Sequence, residues 1–258
     1  MTRVVVVGAA GRMGRAVEAA AATAGDIEIA ARVDRSGSFP AGAAGWTADL
    51  EAALAPGVVV IEFSTPDAAA AAAAVCAARG VPLVSGATGL SAAQEAALQA
   101  AAARVPVLRA SNFSVGVAVL RRALAAALAA APRTWDVEIV ERHHRMKKDA
   151  PSGTALTLAA DVLAARGLDR SALRHGREGA VGARTPDEVG VHAVRGGTWV
   201  GDHAVLLAGE GETVELRHVA QDRAAFAHGA LLAARFVAKA APGLYGIDAL
   251  LTGPGTAS

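Results

Sequence analysis

Short β-branched runs recur through the first half of the chain, at Val4–Val7, Ile27–Val33, Val58–Phe63, Pro82–Ser85 and Val105–Leu108. Between them lie alanine-rich stretches with helical spacing, near Arg12–Ala22, Asp67–Arg79 and Ser91–Arg104. Runs that are apolar on both faces and alternate with helices predict a parallel sheet joined by right-handed crossovers. The pattern changes after Asn112. A long helix is predicted over Val115–Ala131, then a strand over Trp135–Glu141 and a helix over Thr154–Ala165. Three strand-like runs follow, Val189–Val194, Thr198–Leu207 and Glu212–His218, separated by Gly196-Gly197 and by the Gly-Glu-Gly-Glu run at 209–212. Gly167–Pro186 reads as a long loop, and Arg223–Ala240 as a final helix.

These elements predict an α/β chain: a Rossmann-type doubly wound parallel sheet with a second α+β domain built on a mostly antiparallel sheet. The expected divisions are residues 1–114 for the nucleotide-binding sheet and 115–222 for the second domain. Residues 223–258 are expected to form a C-terminal helical segment returning to the first domain.

Composition narrows the partners. Apolar residues make up 53% of the 258 positions and aromatics only 3%. Much of the apolar content is alanine, so slim, closely packed helices are expected. A formal net charge of +1, with both signs spread along the chain, argues against a nucleic-acid or membrane-surface protein. The lone Cys76 offers no intramolecular disulfide and suits a reducing cytosol. MTRVVVVGAAG does not read as a signal peptide, and no apolar stretch approaches the roughly 20 residues of a membrane span. A cytoplasmic protein is expected.

The first glycine-rich segment follows the first strand and opens a helix: Gly8, Ala9, Ala10, Gly11, Arg12, Met13, Gly14. A glycine turn there lets backbone N–H groups and a helix dipole meet a pyrophosphate. After the second strand comes Asp34-Arg35. An acid at this place accepts hydrogen bonds from the ribose hydroxyls of NADH, whereas an arginine pairs with the 2′-phosphate of NADPH, so either cofactor is expected to be tolerated. Two later segments sit at strand ends, where ligands bind in open α/β sheets: SGATG (Ser85–Gly89) and RASNFS (Arg109–Ser114).

VEIVERHHRMKKDAPSGTA, Val137 to Ala155, carries the candidate chemistry. In a strand, Glu141 and His143 face one way and Arg142 and His144 the other, so both histidines reach one ligand only if the chain turns by His144. Ser152 is a candidate N-cap, and the amides of Gly153 and Thr154 at the helix start form a carboxylate site. One loop thus offers an ammonium, an anion-binding helix end and an imidazole able to donate a proton near neutral pH. No metal is expected, because the adjacent histidines lack partners at ligand spacing.

The run Glu138-x-x-Glu141-x-His143-x-x-x-Lys147-x-Asp149-x-Pro151-Ser152-Gly153-Thr154-Ala155 resembles the signature of the 4-hydroxy-tetrahydrodipicolinate (dihydrodipicolinate) reductase family. GAAGRMG, SGATG, ASNFSVGV and Gln221-Asp222-Arg223 fall in the same order. The resemblance implies an NADPH- or NADH-dependent reduction of a cyclic imino dicarboxylate to tetrahydrodipicolinate in lysine and diaminopimelate biosynthesis. By position it implies His143 as proton donor, Lys147 as its electrostatic partner, and His144, Gly153 and Thr154 as holders of the substrate carboxylates. It places the cofactor on Gly8 to Gly14, Asp34, Arg35, Gly86, Ala87, Thr88, Ala110, Ser111, Asn112 and Phe113, in a homotetramer assembled through the second domain's sheet. Ala87 stands where the family usually has a threonine, and Met146 where a histidine is common. The rival readings are a related amino-acid dehydrogenase, which has no reason to carry the whole His-Lys-Pro-Ser-Gly-Thr run, and a non-catalytic nucleotide sensor, which leaves that cluster unexplained.

Overall fold

The structure, a computed structural model, describes residues 1–40 and 42–252; the last six residues of the expected C-terminal segment lie outside the described residues. The chain divides into two compact units, one made of Met1–Val115 with the chain from Arg223 onward, the other of Gly116–Asp222.

The first unit begins β1 (Thr2–Val7), α1 (Arg12–Ala24), β2 (Ile27–Val33), β3 (Trp46–Thr47) and α2 (Leu50–Ala53). It continues β4 (Val58–Glu62), α3 (Pro66–Arg79), β5 (Leu83–Ser85), α4 (Ala92–Ala102) and β6 (Pro106–Arg109). Local chemistry sets these limits. Thr65 caps α3 with Pro66 in its first turn, and Gly80 ends it at a left-handed φ of 66°. Ser91 and Gln94 form a reciprocal capping box on α4.

The second unit contains α5, which runs Val115–Ala130 from the boundary, then β7 (Asp136–His143), α6 (Gly153–Arg166), β8 (Leu173–Arg174), β9 (Val189–Arg195), β10 (Gly201–Ala208) and β11 (Thr213–Ala220). The chain then re-enters the first unit as α7 (Ala224–Val237) and β12 (Gly243–Tyr245).

The first unit's sheet has the order β12-β6-β5-β4-β1-β2-β3, parallel throughout. The order reverses between β1 and β4, so the turns after these two strands flank the crevice where such sheets bind ligands. α7 packs with α1 and against β1, β4, β5 and β6, while α3 packs with α4 and against β4 and β5. The contact surfaces are made largely of small residues: α3 buries Ala69, Ala72, Ala73 and Cys76. Burial pushes the Cys76 thiol up to about 12, which makes it an inert packing residue. Two short strands, β3 and β12, have too few residues to show a period, and the sequence reading passes over them.

The second sheet has the order β11-β10-β7-β9-β8. β10 pairs antiparallel with β7 and β11, whereas β9 runs parallel to β7 and β8. The consecutive strands β9 and β10 are not neighbours, because β7 lies between them. Part of the segment expected to be one long loop is ordered as a short helical turn, Arg170–Ala172, and the edge strand β8. β7 alternates strictly between half-buried and buried positions. Its inner residues Val137 and Ile139 join Val189, Val191, Val205 and Leu207 beneath Leu120, Leu124, Leu158 and Val162 of α5 and α6. The outer face carries paired charges, Arg142 and Arg217 on Asp202, and Arg177, Arg184 and His192 on Glu138.

Candidate active site

In the first unit, Gly8 leaves β1 with φ of +78°, and a Cβ there would meet the backbone of Phe63, whose carbonyl carbon would lie 2.8 Å away. The turn continues through Ala9, Ala10 and Gly11, where α1 begins with no side-chain cap on its first N–H groups. Asp34 braces this turn. Its Oδ2 accepts from the Ala10 N–H at 2.9 Å and its Oδ1 from the Arg35 N–H at 2.8 Å, which leaves further lone pairs for a ribose. Arg12 and Arg35 are exposed, Met13 is half-buried and Gly14 is buried under α1.

The other two predicted cofactor segments converge on the same strand end. Gly86 N–H donates to Glu62 O at 2.8 Å, and Ala110 N–H donates to Ser85 O at 3.2 Å. Phe63 lies across the space a Gly86 side chain would fill, and its ring meets Phe113 edge-on with centroids 5.3 Å apart. Ala87 is buried, Thr88 and Ser111 are exposed, and Asn112 Oδ1 accepts from the Ser114 N–H at 2.8 Å. Sequence reasoning missed the group beneath these loops. Glu62 is fully buried and accepts from the Ser64 N–H, from Ser64 Oγ at 2.5 Å and from Ser85 Oγ at 2.9 Å. The available signal was an acid closing the otherwise apolar run Val58–Ile61. The cradle fits a dinucleotide: small residues keep side chains off three adjoining turns at the carboxyl ends of β1, β5 and β6.

In the second unit, β7 ends at His143 and the chain turns at once, with Lys147 N–H donating to His144 O at 3.0 Å. The link between β9 and β10 wraps this end of β7: Gly196 N–H donates to His143 O at 3.0 Å, and His144 N–H to Trp199 O at 2.8 Å. The His143 side chain is buried, and its Nδ1 lies 2.6 Å from Oε2 of Glu141. Glu141, 0% exposed, also accepts two bonds from Arg195, at 2.7 and 2.8 Å, and one from the Ser152 N–H at 2.9 Å. Burial alone would raise the Glu141 carboxyl, but the His143, Arg195 and Ser152 donors outweigh it and bring it down to about 2. Glu141 is therefore a fixed anion that holds the Nδ1–H tautomer of His143 and leaves Nε2 to exchange protons.

Ser152 caps α6, its Oγ accepting from the Ala155 N–H at 3.2 Å, so Gly153 and Thr154 form the first helical residues as expected. Lys147 Nζ pairs with Asp149 Oδ2 at 2.9 Å, and this contact holds the Asp149 carboxyl below its usual range. The groups in contact with His143 are thus Glu141 and His203 rather than Lys147. His144 is half-buried, one residue beyond the end of β7, where the chain has begun to turn. Among the described residues no group of histidines, cysteines and carboxylates is arranged to hold a metal ion. Glu141, Arg195 and His203 were absent from the predicted site; only Glu141 had a sequence signal, its place in phase with His143.

The family sequence models decide the affiliation. "Dihydrodipicolinate reductase, N-terminus" matches residues 2–113, and "Dihydrodipicolinate reductase, C-terminus" matches residues 116–251. The chain belongs to the dihydrodipicolinate reductase family. This reductase is 46% identical to the 4-hydroxy-tetrahydrodipicolinate reductase of Thiobacillus denitrificans, over 94% of this chain and 96% of the relative. It is 47% identical to that of Thermomicrobium roseum, over 98% of this chain and 100% of the relative. Its fold superposes with a TM-score of 0.80 on a dipicolinate-bound dihydrodipicolinate reductase from Paenisporosarcina sp. TG-14, at 27% identity and covering 96% and 98% of the two chains. The reductase is an oxidoreductase of lysine and diaminopimelate biosynthesis, with a nicotinamide-cofactor fold in its N-terminal unit.

Proposed function

We propose a division of labour for the reaction of this reductase, the reduction of 4-hydroxy-tetrahydrodipicolinate to tetrahydrodipicolinate by one hydride and one proton, with the 4-hydroxyl lost as water. His143 donates the proton from Nε2, and Glu141 holds its ring through Nδ1. The amides of Gly153 and Thr154, with His144, bind the substrate carboxylates at the start of α6. Lys147 is a cationic anchor, kept near by Asp149 and free to exchange that partner for a substrate carboxylate. The nicotinamide cofactor, when bound, supplies the hydride. Gly8 to Gly14, Asp34, Arg35, Gly86 to Thr88 and Ala110 to Phe113 hold it, and the adjacency of Asp34 and Arg35 supports use of both NADH and NADPH.

The observation that carries this reading is the 2.6 Å contact between His143 Nδ1 and a fully buried carboxylate. A surface histidine in a solvated loop has no such fixed tautomer. A cytoplasmic homotetramer joined through the second unit's sheet belongs to the same proposal. In its support, the sheet face away from α5 and α6 carries Val194 and Val219, which are 39% and 50% exposed. Light scattering on the purified protein tests the tetramer.

The activity test follows nicotinamide oxidation with substrate formed in place from pyruvate and aspartate semialdehyde, using NADH and NADPH in parallel. Oxidation that requires the condensed substrate is expected. His143→Ala is expected to lower kcat by ~10²–10⁴ with cofactor affinity unchanged. Undiminished turnover in that variant would overturn the role of His143. Lys147→Ala is expected to raise the substrate KM.

A further inference from the structure

His203 is an imidazole for which the reaction as described has no use. It sits on β10 directly opposite Glu141 of β7, is 3% exposed, and meets the His143 ring edge-on, with centroids 5.1 Å apart at an interplanar angle of 74°. Its Nε2 lies 3.0 Å from Ser152 Oγ, and its Nδ1 is buried without a hydrogen-bond partner among the described residues. Four contacts therefore close a ring. Glu141 Oε2 meets His143 Nδ1, the His143 ring meets the His203 ring, His203 Nε2 meets Ser152 Oγ, and the Ser152 N–H returns to Glu141 Oε1.

The ring ties two things that the reaction needs at one spacing, the proton-donating imidazole and the helix start that receives the substrate's carboxylates. We propose that His203 is a positioning residue of this reductase, whose imidazole clamps Ser152 and the start of α6 to the flank of the His143 ring. The proposal rests on the reading of His143 as proton donor.

Its chemistry suits a clamp better than a second acid. Protonation of His203 would bury a cation with one N–H donating to nothing, beside His143, which must itself carry the positive charge. Burial first, and then the neighbouring His143, push His203 down to about 4, so it stays neutral while His143 turns over. The charged and titratable groups around the pair are Glu141 on β7, Arg195 on β9, His218 on β11, opposite His203, and the adjoining Asp202 of β10, itself paired with Arg142 and Arg217. Glu141 and Arg195 bind each other, and burial lowers His218 too. A second ionisation is not what the site is built to hold. The space beside the clamp is kept clear: a Cβ on Gly201 would lie 3.3 Å from His143 Nε2 and 3.6 Å from His203 Cε1.

The test uses the full-length protein with His203→Leu, which removes the Ser152 contact, and His203→Gln, whose amide nitrogen reaches the place of the imidazole Nε2. His143→Ala is measured alongside. For His203→Leu, kcat is expected to fall ~10-fold or more, as for a sub-ångström loss of register between reacting groups. Substrate KM is expected to rise, the dissociation constant for NADPH to stay unchanged, and His203→Gln to recover most of the loss. If His203→Leu does not fold, His203→Asn replaces it, since its amide falls short of Ser152. Wild-type turnover in the Leu variant would overturn the proposal. So would equal impairment in Gln and Leu that follows their melting temperatures. Full activity in His143→Ala would remove the underlying reading instead, an outcome distinguishable because it does not depend on His203.

Discussion

Replacing Arg195 by methionine removes both guanidinium bonds from a carboxylate that has no access to water. Glu141 keeps only His143 at 2.6 Å and the Ser152 N–H at 2.9 Å. Two routes give the size of the effect. Breaking a buried ion pair by deleting one partner costs about 3–5 kcal/mol. The Glu141 carboxyl, held at about 2 against an ordinary 4.5, represents roughly 3 kcal/mol of preference for its charged folded form. Arg195 keeps 20% of its side chain exposed and the other donors remain, so the lower end applies, about 3 kcal/mol. The sign with pH follows. A depressed carboxyl stabilises the fold above its unfolded value of 4.5, and that contribution is lost as pH falls through about 2. The gap between wild type and Arg195→Met is therefore full at neutral pH and narrows in acid. Urea unfolding followed by far-ultraviolet dichroism measures it, with Glu141→Gln and the double variant closing a cycle. The double variant is expected to be more stable than Arg195→Met alone, because no charge is left stranded. Strict additivity, or a loss under about 1 kcal/mol at neutral pH, would refute the account of Glu141 as a buried anion dependent on Arg195.

Three further outcomes are expected. His203, lowered from 6.5 to about 4, contributes stability above 6.5 that is lost as pH falls to about 4, so wild-type urea midpoints should drop across that window and drop less in His203→Gln. Gly201→Ala places a methyl 3.3 Å from His143 Nε2, and steady-state assays should show kcat reduced by roughly tenfold with unchanged cofactor affinity. In Gly86→Ala the new methyl would collide with the Phe63 ring, its Cζ only 2.9 Å away, which predicts about 1–3 kcal/mol of destabilisation by calorimetry and weaker NADPH binding by fluorescence titration.

Legibility in the sequence followed the range of the interactions involved. β1, β2, β4 and the helices α1, α3, α4 and α6 announce themselves through period, and the last three are capped by Thr65, Ser91 and Ser152, which act within three residues of themselves; the four-residue α2 is too short to do so. The glycine turn was readable for the same reason. β3 and β12 were not, because two- and three-residue strands owe their form to the neighbour they pair with. The position of β7 between β9 and β10 was equally hidden, since glycines at 196–197 look the same in a hairpin and in a link that passes over another strand. The candidate active site divides along that line. His143, Lys147 and Ser152 lie in one run, whereas Arg195 and His203 arrive from β9 and β10, more than fifty residues on. Asp149 could be seen as a neighbour of Lys147, but its pairing needed coordinates.

The return of the chain to its first unit has a consequence for the order of synthesis. Every residue of the glycine turn leaves the ribosome early, yet α7, which packs against β1, β4, β5 and β6, is made only after the whole of the second unit. α7 buries Ala227, Ala230, Leu231, Ala234 and Val237, and β12 beyond it closes the edge of β6. Residues 116–222, by contrast, are contiguous and can mature while the tail is still being translated. A nascent chain halted near Asp222 would hold the complete Glu141–His143–His203–Ser152 ring and a nucleotide sheet still lacking α7 beside α1. In this reductase the part read first is the part finished last.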